Sequence, residues 1–431
     1  MSWKETRYTG WGRAITASGA VARPERRAAL QALDPAPAFG ERRSYGDAAL
    51  NSGGRAIDMT RLDRLLEFDA ETGLLHVEAG ARIGDIAEAF APRGWLPAVM
   101  PGTGFATVGG CIAQDVHGKN HHHAGSFGAH VSEITLSQHG REVVVPAGTP
   151  LFRATVGGLG QTGVIVSARL RLAPVKGDVM IVTERRARHW AEHLALLDAS
   201  TASYTVGWID ATATGEAMGR GIVEEGELGA GLVKRPGRAA RVPMNAPHFA
   251  LAAPVVQAFN WAYYHRVPAR GRTLVKPFGA FFFPLDKILD WNRLYGQRGF
   301  HQFQCVVPLA QAGALREMLG RISASGLASP LAVLKRMGPR RAGYLSFPME
   351  GYTLAIDFPN REAARELIRS LEADTAEAGG RLYFAKDALA EGGRIRAMYP
   401  ELPDWQAEVA KADPSRAYET DLVRRLSLRS A

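Results

Sequence analysis

Nine consecutive residues, Asp115-Val116-His117-Gly118-Lys119-Asn120-His121-His122-His123, gather an acid, four imidazoles, an ammonium and an amide. Such a run supplies acid-base groups and cations for the oxygens of a substrate or cofactor, and His117 and Lys119 are expected to bind them. A histidine triplet also invites a metal reading. Adjacent histidines on a regular backbone diverge, however, and no HExxH or CxxC partner exists, so no metal is expected. Just upstream, Pro101-Gly102-Thr103-Gly104 and Thr107-Val108-Gly109-Gly110 concentrate small residues and backbone N–H groups, as does Gly40-Glu41-Arg42-Arg43-Ser44-Tyr45-Gly46-Asp47 earlier in the chain. Successive N–H groups in such turns form anion nests. Among 47 glycines any one of these, taken alone, reads more readily as an ordinary turn than as a site. Their recurrence within one stretch points to a phosphorylated cofactor.

Gly158-Leu159-Gly160-Gln161-Thr162-Gly163 matches the GxGxxG dinucleotide pattern. That pattern works when a helix follows, because the pyrophosphate rests on the helix N–H groups. Here the next segment, Val164 to Pro174, alternates like a strand, with Val164, Val166, Ala168, Leu170 and Leu172 forming an apolar face. The glycines are therefore read as a tight turn passing close to a cofactor, and a Rossmann site is not expected.

The elements that must carry these loops are short strands in residues 37–175 (AIDMT, LLHVEAG, ITLSQ, EVVVPAG, VIVSARLRLAP), with one amphipathic helix in ARIGDIAEAFAPRG. From 176 the texture changes. Longer helical windows (RARHWAEHLALLDA, QAGALREMLGRISASG, REAARELIRSLEADTAEAGG) alternate with aromatic strands (FHQFQCVVP, YTLAIDF). The fold class is α+β, with two domains over 1–175 and 176–379 and a stretch 380–431 that opens with a strand and returns to the first.

The 431 residues, with 46% hydrophobic and 22% charged, belong to a folded protein rather than a disordered one. Two cysteines, Cys111 and Cys305, provide neither a disulfide framework nor a cysteine metal site. A formal charge of +9 favours anionic partners without choosing among them. No RNP-like aromatic pattern or basic helix supports nucleic acid, and none is expected. No secretory leader or apolar span of about 18 residues is evident, so a cytoplasmic location is expected. Lys234, Arg235, Arg238 and Arg241 precede an aromatic, apolar stretch from Ala246 to Tyr264, a combination suited to peripheral contact with the inner face of the plasma membrane. The same stretch is equally read as a solvated loop leading into a core helix.

Several of these segments, in this order along the chain, resemble flavoproteins of the vanillyl-alcohol-oxidase and p-cresol-methylhydroxylase superfamily, and within it the sugar oxidases that act on a polyprenyl-phosphoryl ribose. The resemblance is carried by RSYGDAALNSGG, IDMT, PGT, TVGG, DVHGKNHHHAGSFGAHV, ATVGGLGQTGVI, DKILDWNRLYGQRGFHQFQCVVP, LSFPMEGYTLAIDFP, GGRLYFAKDA and MYP. It implies a PCMH-type FAD-binding domain with an α+β substrate domain over the flavin. FAD is then expected against Arg43, Ser44, Tyr45, Gly46, Pro101, Gly102, Thr103, Val108, Gly109, Gly110, His117, Gly163, Ile165, Tyr383 and Lys386. Relatives that tether flavin do so through a histidine in the first loop; Tyr45 stands there, implying noncovalent FAD.

The implied reaction is oxidation of the ribose 2′-hydroxyl to a keto sugar, the first half of an epimerisation to arabinose that a separate NAD(P)H-dependent short-chain reductase would complete. Lys386 is expected to position the hydroxyl and offset the reduced flavin's charge, with Tyr45 or His117 as proton acceptor. Lys119, Gln302, Gln304, Lys335, Thr353 and Ala355 are expected to bind substrate. The family pattern has asparagine and cysteine where this chain has Thr353 and Ala355. A soluble alditol oxidase and a non-catalytic flavin-fold binding protein are the alternatives.

Overall fold

The computed structural model describes residues 3–231 and 239–429. Lys234, Arg235 and Arg238 of the basic run lie outside the described residues; Arg241 lies within them and pairs with Asp290.

Two sheets build the N-terminal part. In the first, Lys4–Thr9 pairs antiparallel with Thr16–Ala22, which continues in parallel through Arg55–Asp58 to Ala38–Phe39. The second is antiparallel, in the order Leu65–Asp69, Leu74–Glu78, Val164–Pro174, Val131–Gln138, Arg141–Pro146, with Trp95–Pro97 also on the long central strand. The helix Ile83–Phe90 lies against this sheet because Ile83, Ile86, Ala87 and Phe90 fall on one stripe, all buried; Gly94, at φ 82°, turns the chain after it.

The strand Val164–Pro174 follows the GxGxxG turn directly, so the chain enters no helix after those glycines. Its single alternating apolar face, expected from sequence, is divided by a β-bulge between Ile165 and Ser167. Val164 and Val166 pack with Leu30, Ile57 and Tyr418, whereas Ala168, Leu170 and Leu172 join Ile165 in the core with Ile134 and Leu136. One inserted residue shifts the phase of a two-residue repeat, so the apolar positions serve both faces.

An eight-stranded antiparallel sheet follows, ordered Arg272–Pro277, Val179–Ala187, Gly221–Gly229, Tyr204–Ile209, Ala332–Met337, Gly351–Pro359, Phe300–Val307, Arg381–Leu382. Register decides what each face carries. Phe303, Cys305, Leu334, Leu354, Ile356 and Phe358 enter the core beneath the helices Ala312–Ser325 and Glu362–Glu377. The alternate residues face the other way. The helix expected in RARHWAEHLALLDA starts only at Trp190, because Arg186 and Ala187 still pair with Ile222 and Gly221.

After Arg381–Leu382 the chain forms the helices Gly392–Met398, Leu402–Ala412 and Asp421–Arg425. Asp421 accepts the Ser52 N–H at 3.0 Å, and Arg425 holds Asp47. The last segment is thus tied to the glycine-rich loop near the N-terminus.

Candidate active site

On the open face of the large sheet, cross-strand pairing aligns Gln302 with Asp357, Gln304 with Ala355, and Thr353 with Lys335. Partners directly opposite in an antiparallel ladder share a face. This register therefore brings all six to one surface, although they come from three strands. Gln302, Gln304, Thr353 and Asp357 are buried there; Ala355 is the one partly open residue of its strand. The methyl group of Ala355 thus borders free space.

Facing them is His117, buried against Phe347 and Tyr383 at ring separations of 5.4 and 5.2 Å, while those two rings stack on each other at 4.7 Å. Gln304 Nε2 lies 3.1 Å from His117 Nε2 and donates to Thr353 Oγ1 at 3.3 Å. Burial, then Lys335, holds the imidazole well below its usual 6.5, so it is neutral. Tyr383 donates to the Gln114 carbonyl at 3.3 Å, and its own N–H donates to the Gln304 carbonyl at 3.1 Å.

The turn Tyr383 to Asp387 presents Lys386, whose Nζ stands 3.5 Å from the centroid of the Tyr45 ring. The loop carrying Tyr45 is locked to that turn. Tyr45 N–H donates to the Ala385 carbonyl at 2.8 Å, and a Cβ on Gly46 would meet the Asp387 carbonyl oxygen at 1.8 Å, so only glycine fits. Three half-buried lysines, Lys119, Lys335 and Lys386, border the site. Burial brings Lys119 to about 8 and Lys335 to about 7. It also lowers Lys386, against the opposing pull of Asp357. Lys119 is already engaged: it donates to the Phe281 carbonyl and lies 3.9 Å over that ring.

Tyr45 or His117 is the proton acceptor expected from the sequence. Burial holds the Tyr45 phenol well above 10, so it is protonated at neutral pH, and an imidazole as weakly basic as that of His117 retains a proton poorly. Lys386 is lowered toward neutrality.

The phosphate-cradle expectation divides. Arg43 lies between Trp11 and Phe105, 4.1 and 4.4 Å from the ring centroids, and its buried Nε has no partner among the described residues. Ser44 and Tyr45 offer their carbonyls to Trp11 and Gly12. Gly102 has open space, but Thr103 Oγ1 and Gly104 N–H both donate to Asp286, each at 2.7 Å. A carboxylate of the chain therefore occupies that nest. The N–H groups of Val108 and Gly109 donate to the Ala81 and Ala79 carbonyls, and that of Gly110 to Thr107 Oγ1. These three N–H groups are not free donors for a pyrophosphate. Pro101 precedes the same turn. Ile165 is in the core beneath the second sheet, and Gly163, at φ 134°, abuts Ser137 and Gln138; no described contact joins either to the His117 cluster.

The histidine triplet does not converge. His121 Nδ1 accepts from Gly338 N–H at 3.2 Å, while His122 turns to the Ala202 carbonyl at 3.1 Å. A cleft of about 280 Å³ lined by Leu251, Tyr295, Arg298 and Arg361 contains none of the expected residues. The sequence reading passed over Asp357, Tyr295 and Arg425. IDFP carried a signal for the first, an acid at an apolar strand position; nothing local marks the other two.

A planar, phosphorylated cofactor fits these residues. Arg43 Nε and His117 Nδ1 are buried without partners among the described residues, and Lys386 and Lys335, when protonated, would offset the negative charge of a reduced cofactor. Fold and site together define an FAD-binding oxidoreductase. Residues 27–145 match the family described as FAD binding domain. The chain is 36% identical to decaprenylphosphoryl-β-D-ribose oxidase of Mycolicibacterium smegmatis, over 98% of this chain and 97% of that protein. It is 34% identical to an uncharacterized protein of Streptomyces coelicolor over 80% of this chain and 99% of the other. A D-lactate dehydrogenase of Anaerostipes hadrus shares 27% identity over 31% of the chain. The chain belongs to the decaprenylphosphoryl-β-D-ribose oxidase family, and FAD is its cofactor.

Proposed function

We propose that this protein oxidises the 2′-hydroxyl of the ribose in a polyprenyl-phosphoryl ribose to a keto sugar, the first half of an epimerisation to arabinose that a separate NAD(P)H-dependent reductase completes. The observation that carries the reading is the single face on which Gln302, Gln304, Lys335, Thr353 and Ala355 meet His117. Oxidation of a secondary alcohol removes one hydride from carbon and one proton from oxygen. FAD, held noncovalently, supplies the hydride acceptor.

The chain's residues handle the rest. Unprotonated Lys386 takes the hydroxyl proton, and the resulting ammonium offsets the negative charge left on the reduced cofactor. The Tyr45 ring, its centroid 3.5 Å from Lys386 Nζ, favours the ammonium by cation–π attraction once the proton has been taken. The amide nitrogens of Gln302 and Gln304 are engaged by Asp357, His117 and Thr353, so both carbonyl oxygens remain to accept from sugar hydroxyls. Lys335 binds the substrate phosphate, the role left to it by Lys119's bond to Phe281.

The lipid part is supported by the surface around Ala253–His265. That helix buries Val256, Asn260 and Tyr264 and leaves Val255, Phe259 and Trp261 more than two-fifths exposed, with Phe249 before it 71% exposed. Such a face suits peripheral contact with the inner leaflet, where a polyprenyl chain resides. Among the described residues no helix is long and apolar enough to cross a membrane.

Anaerobic mixing with polyprenyl-phosphoryl ribose should bleach the flavin bands. Bleaching by free alditols and not by the lipid-linked sugar would assign the protein to soluble alditol oxidation instead. Acid precipitation should release the yellow colour; colour retained in the pellet would overturn noncovalent attachment.

A further inference from the structure

The cleft of about 280 Å³ that stands apart from the expected residues carries charge of one sign: Arg298 and Arg361 line it, and no acid among the described residues does. The fold brings these two cations together. The ladder between Phe300–Val307 and Gly351–Pro359 ends with Phe300 opposite Pro359, and just beyond it the Asn360 N–H donates to the Gly299 carbonyl at 3.0 Å and Asn360 Nδ2 to the Arg298 carbonyl at 3.1 Å. Asn360 Oδ1 accepts from Arg365 at 2.7 Å and lies 3.1 Å from His301 Nε2, so the amide that joins the two loops is held on both sides.

Most of the donors in the cleft are unused. Arg361 gives one N–H to the Leu251 carbonyl at 3.3 Å, and Arg298 makes no side-chain hydrogen bond or ion pair among the described residues. Glu362, the acid next to Arg361 in the chain, is paired with Arg365. A guanidinium has five N–H groups in a fixed fork that matches phosphate oxygens in pairs. A concave surface of one sign concentrates its field and gathers counter-ions.

Beside the arginines the cleft is apolar. Leu251 and Leu294 line it, from the packed turns His248–Leu251 and Trp291–Tyr295. Leu294 and Phe249 are exposed, and the helix Ala253–His265 that follows Leu251 exposes Val255 and Phe259, four residues apart and so on one stripe. A free phosphate would use the arginines and leave this apolar surface in water; a lipid uses both.

We propose that the cleft is a head-group site for an anionic phospholipid, with Arg298 and Arg361 on the phosphate and Phe249, Leu294, Val255 and Phe259 at the acyl boundary. The proposal rests on the membrane-contact reading above and gives that contact a site and a lipid chemistry. Pockets that enclose a drug-sized ligand measure about 300 to 1,000 Å³, so a cleft of about 280 Å³ suits a head group rather than a whole lipid.

The test is flotation of FAD-loaded protein with vesicles of phosphatidylcholine alone or enriched in phosphatidylglycerol. The parent should float with the enriched vesicles, and Arg298→Gln/Arg361→Gln should bind them about 10-fold or more weakly. Arg26→Gln/Arg316→Gln removes the same charge from exposed positions on other elements and should bind nearly as the parent does. Arg298→Gln alone, which gives up no internal contact, should weaken binding in the same direction and keeps the test decisive where the double variant does not fold. Flavin reduction by farnesylphosphoryl ribose should be unchanged in the folded variants, because neither arginine belongs to the His117 face. Equal losses in the two double variants would mean that net charge alone acts, and would overturn the site. Parent-like flotation of a folded Arg298→Gln/Arg361→Gln protein would overturn it while leaving the membrane contact standing. Glycerol 3-phosphate binding that this variant loses while its flotation stays parent-like would assign the cleft to a soluble phosphate instead. Parent protein that floats with neither vesicle would overturn the membrane reading itself.

Discussion

Lys386 and Tyr45, 341 positions apart in the chain, meet with the ammonium 3.5 Å from the ring centroid. The contact is enforced from behind. Arg425 donates to Asp47 at 2.8 and 2.9 Å and to Asp387 at 2.8 Å, binding the residue two after Tyr45 to the residue after Lys386. A cation enclosed against an aromatic face sheds water, and that loss moves its proton affinity into the neutral range.

Lys386→Ala should slow flavin reduction by about 10²-fold or more while FAD stays bound, because the ammonium acts chiefly on the transition state. Single-turnover reduction and the flavin-to-protein absorbance ratio measure the two effects separately. Near-normal reduction rejects the role.

The sign of the Lys335 effect is opposite to that of Asp357. Its charge lowers Lys386, so Lys335→Met should shift the rise of the limiting reduction rate to higher pH while weakening binding of the phosphorylated sugar. An unchanged midpoint at saturating substrate would separate the two lysines electrostatically.

Ala355 borders open space opposite Gln304, whereas Cys111 and Cys305 are fully buried and their thiols are pushed up by burial, Cys305 to about 12. The parent protein should resist maleimide, since only a thiolate reacts. Ala355→Cys should gain one time-dependent adduct, slowed by bound substrate, with turnover largely retained because the reaction needs no thiol there. Intact mass of the folded variant decides it: no adduct would mean that position 355 does not face the site.

Arg425→Ala leaves two carboxylates, 4% and 7% exposed, without their shared cation. Breaking buried pairs costs about 3 to 5 kcal/mol, so the melting temperature should fall by several degrees and FAD should bind more weakly. Arg425→Lys should recover only part of this, because one ammonium does not span both acids in the same geometry.

His193 is buried with its Nε2 against Gly207, where a Cβ would come within 2.2 Å, and burial lowers it to about 4. A depressed histidine contributes stability above its unfolded value of about 6.5, and that stability is lost as pH falls through 4. The loss is about 3 kcal/mol, and His193→Gln should flatten the acid limb of stability between these values. Denaturant unfolding at a series of pH values measures it.

By itself the sequence determined the chemical inventory and the cofactor class. The glycine-rich loops, His117, the lysine after Tyr383 and the strand following Gly163 are local signals: spacing and residue type suffice, because backbone conformation at a turn or strand depends on near neighbours. Tertiary structure decided which groups are free to act. Val108, Gly109 and Gly110 look like phosphate donors until the Ala79 and Ala81 carbonyls arrive from another segment, and Thr103 looks open until Asp286 does. The face of Asp357 depends on pairing with Gln302, 55 residues away, and a register one residue different would have buried the acid among Leu354 and Phe358. Proton affinities followed the same rule. They arise from desolvation and from charges brought close only on folding, so no spacing in the chain announces that Tyr45 donates, that His117 stays neutral, or that Lys386 is set between an acid behind it and a second lysine beside it.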